Sequence, residues 1–275
     1  MKEKKKILML SLPALVTLFT VFIIPMVYTF IEGLITNRLD FYIKFISDPF
    51  YLSILGDTVM LSIKTTVVCL LLGYPTAYFL ARTESKIKSA LLIATIFPFL
   101  ISAVVRAFGW MVLLGSNGLV NQFLMMVGLV DEPVKIMYTE TAVMIGLTQL
   151  LLPYMILSIM SVIQSIDDNL EYAASSMGAN PLTTFWKIIF PLSAPGVVSG
   201  CTLVFTLSMT SYVTPRLLGG AQYLTVSTFI YNQVKTSFNM PFANAISYVL
   251  VFAILLFQVF SNNANNYVSK RVGGV

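Results

Sequence analysis

Residues 142–163 read AVMIGLTQLLLPYMILSIMSVI, a run without a single Asp, Glu, Lys or Arg. About 20 such residues in one α-helix cross the hydrocarbon core of a bilayer. The apolar residues are continuous, not alternating. That favours a helix over a barrel strand, the other structure that satisfies its own backbone in lipid. Working outward from it, five further apolar runs appear, two of them holding one cation each: residues 7–31, 58–80 (starting as early as Ile54), 90–114, 197–214 and 243–260. The expected fold class is an all-α integral membrane protein of six transmembrane helices. Residues 1–53 read as an N-terminal transmembrane helix with an external loop, and 54–275 as a five-helix core. The opening Lys2-Glu3-Lys4-Lys5-Lys6 resembles the basic start of a signal peptide. The apolar run behind it is too long and lacks a small-x-small site, so an uncleaved signal-anchor helix is expected.

Composition agrees with lipid as the solvent. The 275 residues are 57% hydrophobic and 11% charged, with a mean hydropathy of +0.85; a soluble domain carries about 25% charged residues. The net charge of +5 does not point to nucleic acid, because the basic residues flank apolar runs instead of forming a groove. Two cysteines, Cys69 and Cys201, lie inside apolar runs and read as packing residues. The absence of histidine removes the commonest general base and metal ligand. No catalytic residue, metal site or cofactor is predicted. No G-x-x-x-x-G-K-[ST] phosphate loop occurs, so any ATP-driven work needs a separate ATPase.

Basic residues favour the cytoplasmic side of a membrane. Lys2, Lys4, Lys5, Lys6, Arg82, Lys86, Lys88, Lys187, Lys270 and Arg271 fall on the side that holds both termini. The other side carries Arg38, Lys44, Lys135, Arg216 and Lys235 with most of the acids: Glu32, Asp40, Asp48, Asp131, Glu132 and Glu140. Both termini are therefore expected in the cytoplasm. Two cations lie within spans, Lys64 and Arg106. Lys64 is expected to pair with Asp57, two turns earlier on the same helix face. Arg106 has no acid in its own span, so its partner is sought elsewhere; it is either a pathway residue or a structural cation.

The connection 164–195 is long for a link between neighbouring spans. Asp167 and Asp168 can cap a helix, with Glu171 as the capping-box partner of Asp168. Ala173 and Ala174 favour helix, and Gly178 permits a left-handed turn. Pro181 suits the first turn of a second helix, to which Leu182, Phe185, Ile188 and Ile189 give an apolar face. Pro191 and Pro195 are expected to stop it before the next span. Such a pair of short helices either rests on lipid headgroups or docks a protein. A lipid-surface helix usually has a basic polar face. This connection has only Lys187 against Asp167, Asp168 and Glu171, which favours a protein partner.

Glu171-Tyr172-Ala173-Ala174-Ser175-Ser176-Met177-Gly178-Ala179, ending in Ile188-Ile189-Phe190-Pro191, resembles the EAA loop of type I ABC-importer permeases. That pattern is E-A-A, three residues, G, nine residues, then I-x-L-P. Tyr172 stands where the family has Glu, with Glu171 one residue early, and Phe190 replaces Leu. The resemblance implies that Glu171, Tyr172, Ala173, Ala174, Gly178, Ala179, Ile188 and Pro191 form a coupling loop docking on an ABC ATPase dimer. It also implies a second permease subunit completing the pore as a heterodimer, an extracytoplasmic solute-binding protein, and a location in the bacterial inner membrane.

Val105-Arg106-Ala107-Phe108-Gly109-Trp110 with Gly118-Leu119-Val120-Asn121, and Ser211-Tyr212-Val213-Thr214-Pro215-Arg216-Leu217-Leu218-Gly219-Gly220, resemble the spermidine and putrescine branch of that family. The implied solute is a polyamine; an opine, amino acid or aminophosphonate is the alternative. Polycations are held by carboxylates and aromatic faces, which Trp110, Tyr154 and Tyr212 can offer. Together with Arg106 and Pro215 they are the candidate pathway residues, and helix packing or interfacial anchoring is the competing role of each aromatic. Arg216 stands where the polyamine members tend to be acidic, and Arg suits an anionic solute. A stand-alone secondary transporter or channel is the alternative of a different class. It would show inverted repeats or midplane acids, and neither is evident in the sequence.

Overall fold

The computed structural model describes residues 11–37, 39–83 and 87–272. Lys2, Glu3, Lys4, Lys5, Lys6, Arg38 and Lys86 lie outside the described residues, as do the side chains of Glu32, Lys270 and Arg271. Among the described residues every regular element is helical. Helix α1 runs through Ser11–Ile31, with a π-helical turn at Phe19–Ile23, and continues to Asn37. It is followed by α2 (Asp40–Ser47) and α3 (Pro49–Arg82). Next come α4 (Ile87–Leu100), α5 (Ala103–Leu114), α6 (Leu119–Met126) and α7 (Glu140–Gln164). The rest are α8 (Asn169–Ser176), α9 (Pro181–Thr210), α10 (Val226–Lys235) and α11 (Met240–Val272). Six helical stretches are long and apolar enough to cross a membrane: Ser11–Ile31, Pro49–Arg82, Ala103–Met126, Glu140–Gln164, Pro181–Thr210 and Met240–Asn263.

Three boundaries differ from the sequence reading. The run 90–114 is not one helix: α4 stops at Leu100 and α5 starts at Ala103. Pro98 cannot donate to the preceding turn, and Ile101 N–H folds back to the Pro98 carbonyl at 3.3 Å, ending α4. The length needed to cross is reached by Ala103–Met126, with Lys88–Leu100 a shorter apolar helix before it. Second, Pro191 and Pro195 do not stop a helix but lie inside α9. A π turn at Phe185–Ile189 precedes Pro191, and Phe190 N–H reaches back five residues to the Phe185 carbonyl. The widened turn takes up the proline where it cannot donate to Lys187. Third, the last helix does not end at the apolar run 243–260 but continues through Asn262, Asn263, Asn265 and Asn266 to Val272. Each Asn costs a helix only about 0.7 kcal/mol or less, too little to stop one already growing.

Among the described residues, those of 11–52 with 230–252 form one compact unit, and those of 53–229 with 253–272 a second. In the first, the Tyr248 hydroxyl donates to the Met26 carbonyl at 2.8 Å, and Phe242 meets Tyr51 edge-on at 5.2 Å. The second is organised around α7. Half of its span is buried, against none of α1, and Leu147, Leu151, Met155, Ile159 and Ile163 form its core. Helix α9 lies along it through a glycine notch. A Cβ on Gly200 would come within 2.8 Å of the Met155 sulfur, and one on Gly196 within 3.0 Å of the Ser158 carbonyl. Small residues let helix backbones approach where lipid leaves no hydrophobic drive for association. Cys69 is buried and Cys201 half-buried, both as free thiols.

Candidate functional site in the 164–195 connection

Two short helices, α8 and the start of α9, form this connection, and its local hydrogen bonds explain its shape. Helix α8 closes in a Schellman turn. Gly178 N–H donates to the Ser175 carbonyl at 2.9 Å and Ala179 N–H to that of Ala174 at 3.0 Å. Gly178 has φ +84°, the left-handed value read for it from the sequence, and no atom outside its own turn lies near its missing Cβ. Asn180 then caps α9: its side-chain oxygen accepts from Thr183 N–H at 2.7 Å, with Pro181 in the first turn.

The predicted capping box is not made. Asp168 occupies the cap position of α8 without a side-chain capping bond, and Asp167 accepts instead from Asn169 N–H at 2.9 Å. The carboxylates of Asp168 and Glu171 both turn to Arg82, the last residue of α3. A guanidinium offers a charge-assisted contact stronger than a backbone N–H can give, so it outcompetes the cap.

The connection has two faces. Ala174, Thr184 and Ile189 are buried beneath it. Tyr172 (71%), Met177 (83%), Leu182 (71%) and Trp186 (60%) are exposed. Ala173 and Gly178 are exposed with them, while Ala179, Ile188 and Pro191 are half-buried. Phe185 sits underneath, meeting Tyr74 edge-on at 5.6 Å and Tyr78 at 5.7 Å. The Tyr74 hydroxyl bonds with that of Ser193 at 2.7 Å. The sequence reading missed Tyr74 and Tyr78 and took Arg82 only as a topology residue. Their four-residue spacing at the end of a span was the available signal.

The pathway candidates do not converge on one point. Arg106 Nη1 donates to the Pro98 carbonyl at 2.8 Å, so its partner is a backbone oxygen within residues 90–114, not an acid elsewhere. That carbonyl belongs to the last turn of α4, where helical partners run out. Trp110 Nε1 donates to Gln149 Oε1 at 3.0 Å, beside a 390 Å³ cavity otherwise lined by apolar residues and Thr148. Tyr154 meets Phe99 edge-on at 4.8 Å. Pro215 is buried at the start of a π turn, Pro215–Gly219, and Tyr212 is half-buried before it. Lys64 pairs with Glu140 Oε1 at 2.7 Å rather than with Asp57. Seven residues along a helix rise by about 10 Å, whereas Glu140, at the start of α7, lies directly opposite. Outside the spans, burial and then the Glu140 and Asp57 carboxylates push the Tyr223 phenol above its ordinary range.

Six membrane-crossing stretches, with a folded helical connection held against the end of one of them, define a polytopic membrane protein. Residues 70–274 match the family described as the binding-protein-dependent transport system inner membrane component, and the chain belongs to that family. It is 35% identical over 266 residues to the spermidine/putrescine transport system permease protein of Escherichia coli, covering 97% of this chain and 96% of that one. Its fold matches a chain of a bacterial ABC transporter involved in importing the acidic polysaccharide alginate. The TM-score is 0.79 at 18% identity, over 98% of this chain and 97% of that one. The same transporter in complex with an alginate pentasaccharide-bound periplasmic protein matches with a TM-score of 0.81 at 18% identity, over 98% and 96% of the two chains. The chain is a multi-pass permease subunit of the ABC-importer class.

Proposed function

We propose that this permease imports polyamines and that the 164–195 connection is its coupling loop for a separate ATPase dimer. The observation that carries the coupling reading is the exposed apolar face of Tyr172, Met177, Leu182 and Trp186. Exposed apolar patches mark protein docking sites, and Tyr172 and Met177 lie on a helix outside the membrane-crossing stretches, with Leu182 and Trp186 in the first two turns of the next one. The EAA residues from Glu171 to Pro191 form this segment. The polyamine reading is supported by identity to a spermidine/putrescine permease along nearly the whole chain.

Under this reading a second, different permease subunit completes the pathway, and a solute-binding protein delivers the cargo from outside. The chain lies in a bacterial inner membrane with both termini cytoplasmic, as Arg82, Lys88 and Lys187 on one side suggest. Residues 54–275 act as the permease core and 1–53 as an addition to it. ATP draws the two ATPases together, they pull the loop around Gly178, and the spans turn the pathway outward; phosphate release reverses this. Trp110, Tyr154 and Tyr212 offer aromatic faces to an ammonium group, and Pro215 shapes the turn beside Tyr212. Arg106, tied by Nη1 to the Pro98 carbonyl, braces the wall.

The test is uptake by proteoliposomes holding the chain with its ATPase, second permease and binding protein. Labelled spermidine and putrescine should accumulate when ATP is supplied. Transport of an aminophosphonate, opine or amino acid in their place would replace the polyamine reading. Uptake by the chain alone would remove the ATPase from the account.

A further inference from the structure

Side chains four residues apart on a helix share a face, and Tyr74, Tyr78 and Arg82 form such a row at the end of α3. Each touches the 164–195 connection at a different place. Tyr74 bonds with Ser193 at 2.7 Å, and Tyr78 packs on Phe185. Arg82 reaches α8: Nη1 meets the Asp168 carboxylate, and Nη2 lies 2.8 Å from Glu171 Oε1. Nη1 also donates to the Ile166 carbonyl at 3.3 Å. The Arg82 side chain is 18% exposed. Asp168 is exposed, but Arg82 and Glu171 are both largely out of water, so their pair differs from a surface ion pair. Removing Arg82 leaves two carboxylates without a counter-charge, and removing Glu171 leaves Arg82 only its pair with the exposed Asp168.

Helix α8 needs such a hold. It has eight residues, and Ala174 is its one buried side chain. Isolated helices under about 12 residues are marginal in water, so its placement depends on what grips it from outside. Among the described residues both ion pairs of this connection go to Arg82.

We propose that Arg82 is the positioning residue that clamps the coupling helix to span α3, and that Glu171 serves this clamp within the chain and is not a free charge for the ATPase. The proposal rests on the coupling reading of residues 164–195. Force applied to the exposed face of α8 is delivered through Arg82 to the end of α3, while Tyr74 and Tyr78 carry the start of α9 with the same helix.

Two measurements on the full chain test it. Hydrogen exchange of residues 169–176 is read in nanodiscs, and solute-stimulated ATPase activity is read in the assembled complex. Arg82→Gln and Glu171→Gln should each speed exchange there about tenfold, the effect of ~1.4 kcal/mol of lost anchoring. Stimulated ATPase activity should fall by a similar factor while the ATPase still co-purifies. The swap Arg82→Glu with Glu171→Arg should restore both. Unchanged exchange in the single variants would overturn the clamp. Faster exchange with normal stimulation would overturn its part in coupling, and so would loss of ATPase binding in Glu171→Gln alone. If no ATPase joins even the unaltered chain, the coupling reading fails, and the exchange arm still decides the clamp. Should Arg82→Gln fail to insert, Glu171→Gln and Asp168→Asn carry the same comparison.

Discussion

Gly178 shows how much one residue decides. Its φ of +84° is a backbone state that costs an L-residue with a side chain roughly 1–2 kcal/mol. The space around it is open, so the cost of substitution is backbone strain and not a clash. Gly178→Val should therefore leave membrane insertion intact and loosen the turn between α8 and α9. Solute-stimulated ATPase activity is expected to drop severalfold; normal stimulation in that variant would remove the turn from the coupling mechanism. The glycine was legible because a left-handed turn between two helical patterns has few other solutions. Arg82 was not. A basic residue at the end of a span reads as a topology signal, and only folding brings it to Asp168 and Glu171, 86 and 89 positions further along the chain.

At the scale of elements, the interrupted third apolar run is the most instructive. Helices α4 and α5 meet at residues 101–102, where the last carbonyls of α4 lack helical partners. Arg106 supplies one donor to Pro98 from the following helix. Truncating the donor removes the shorter of two bonds to the Pro98 carbonyl and leaves it the 3.3 Å bond from Ile101 N–H, a loss of about 1 kcal/mol. Arg106→Gln should accordingly impair uptake more than assembly with the other subunits; unchanged uptake would reduce the contact to a local structural bond. The α7–α9 pair makes a second prediction. Gly200→Leu would drive carbon into the Met155 side chain, whose sulfur already lies where a Cβ would sit at 2.8 Å. Overpacking of this kind costs about 1–3 kcal/mol. A lower thermal midpoint in detergent is expected, and an unchanged one would mean that α9 can slide away from α7.

For the whole molecule, the division of labour is the governing property. Six crossing stretches and membership of a binding-protein-dependent permease family describe a transport permease subunit, and the proposed function has its work driven by other subunits. Purified alone into vesicles, it should show no ATP hydrolysis and no concentrative polyamine uptake. Adding back the ATPase, second permease and binding protein should restore both. Concentrative uptake without them would refute the coupled scheme.

The helical class, the number of spans and the folded connection followed from the amino-acid sequence alone. Each depends on short-range physics: apolar residues in continuous runs, a positive-φ glycine, a proline at a helix start. The route of that connection into α9, the break at residues 101–102 and the partners of Lys64, Arg106, Asp168 and Glu171 did not. The helix path turned on how prolines are accommodated by π-helical or folded-back bonds. The ion pairs turned on which distant element lies opposite, so Lys64 met Glu140 and not the nearer-numbered Asp57. Charges choose partners by distance in space and by competing donors, and only the packing of α3 beside α7 and α8 brings those groups within reach.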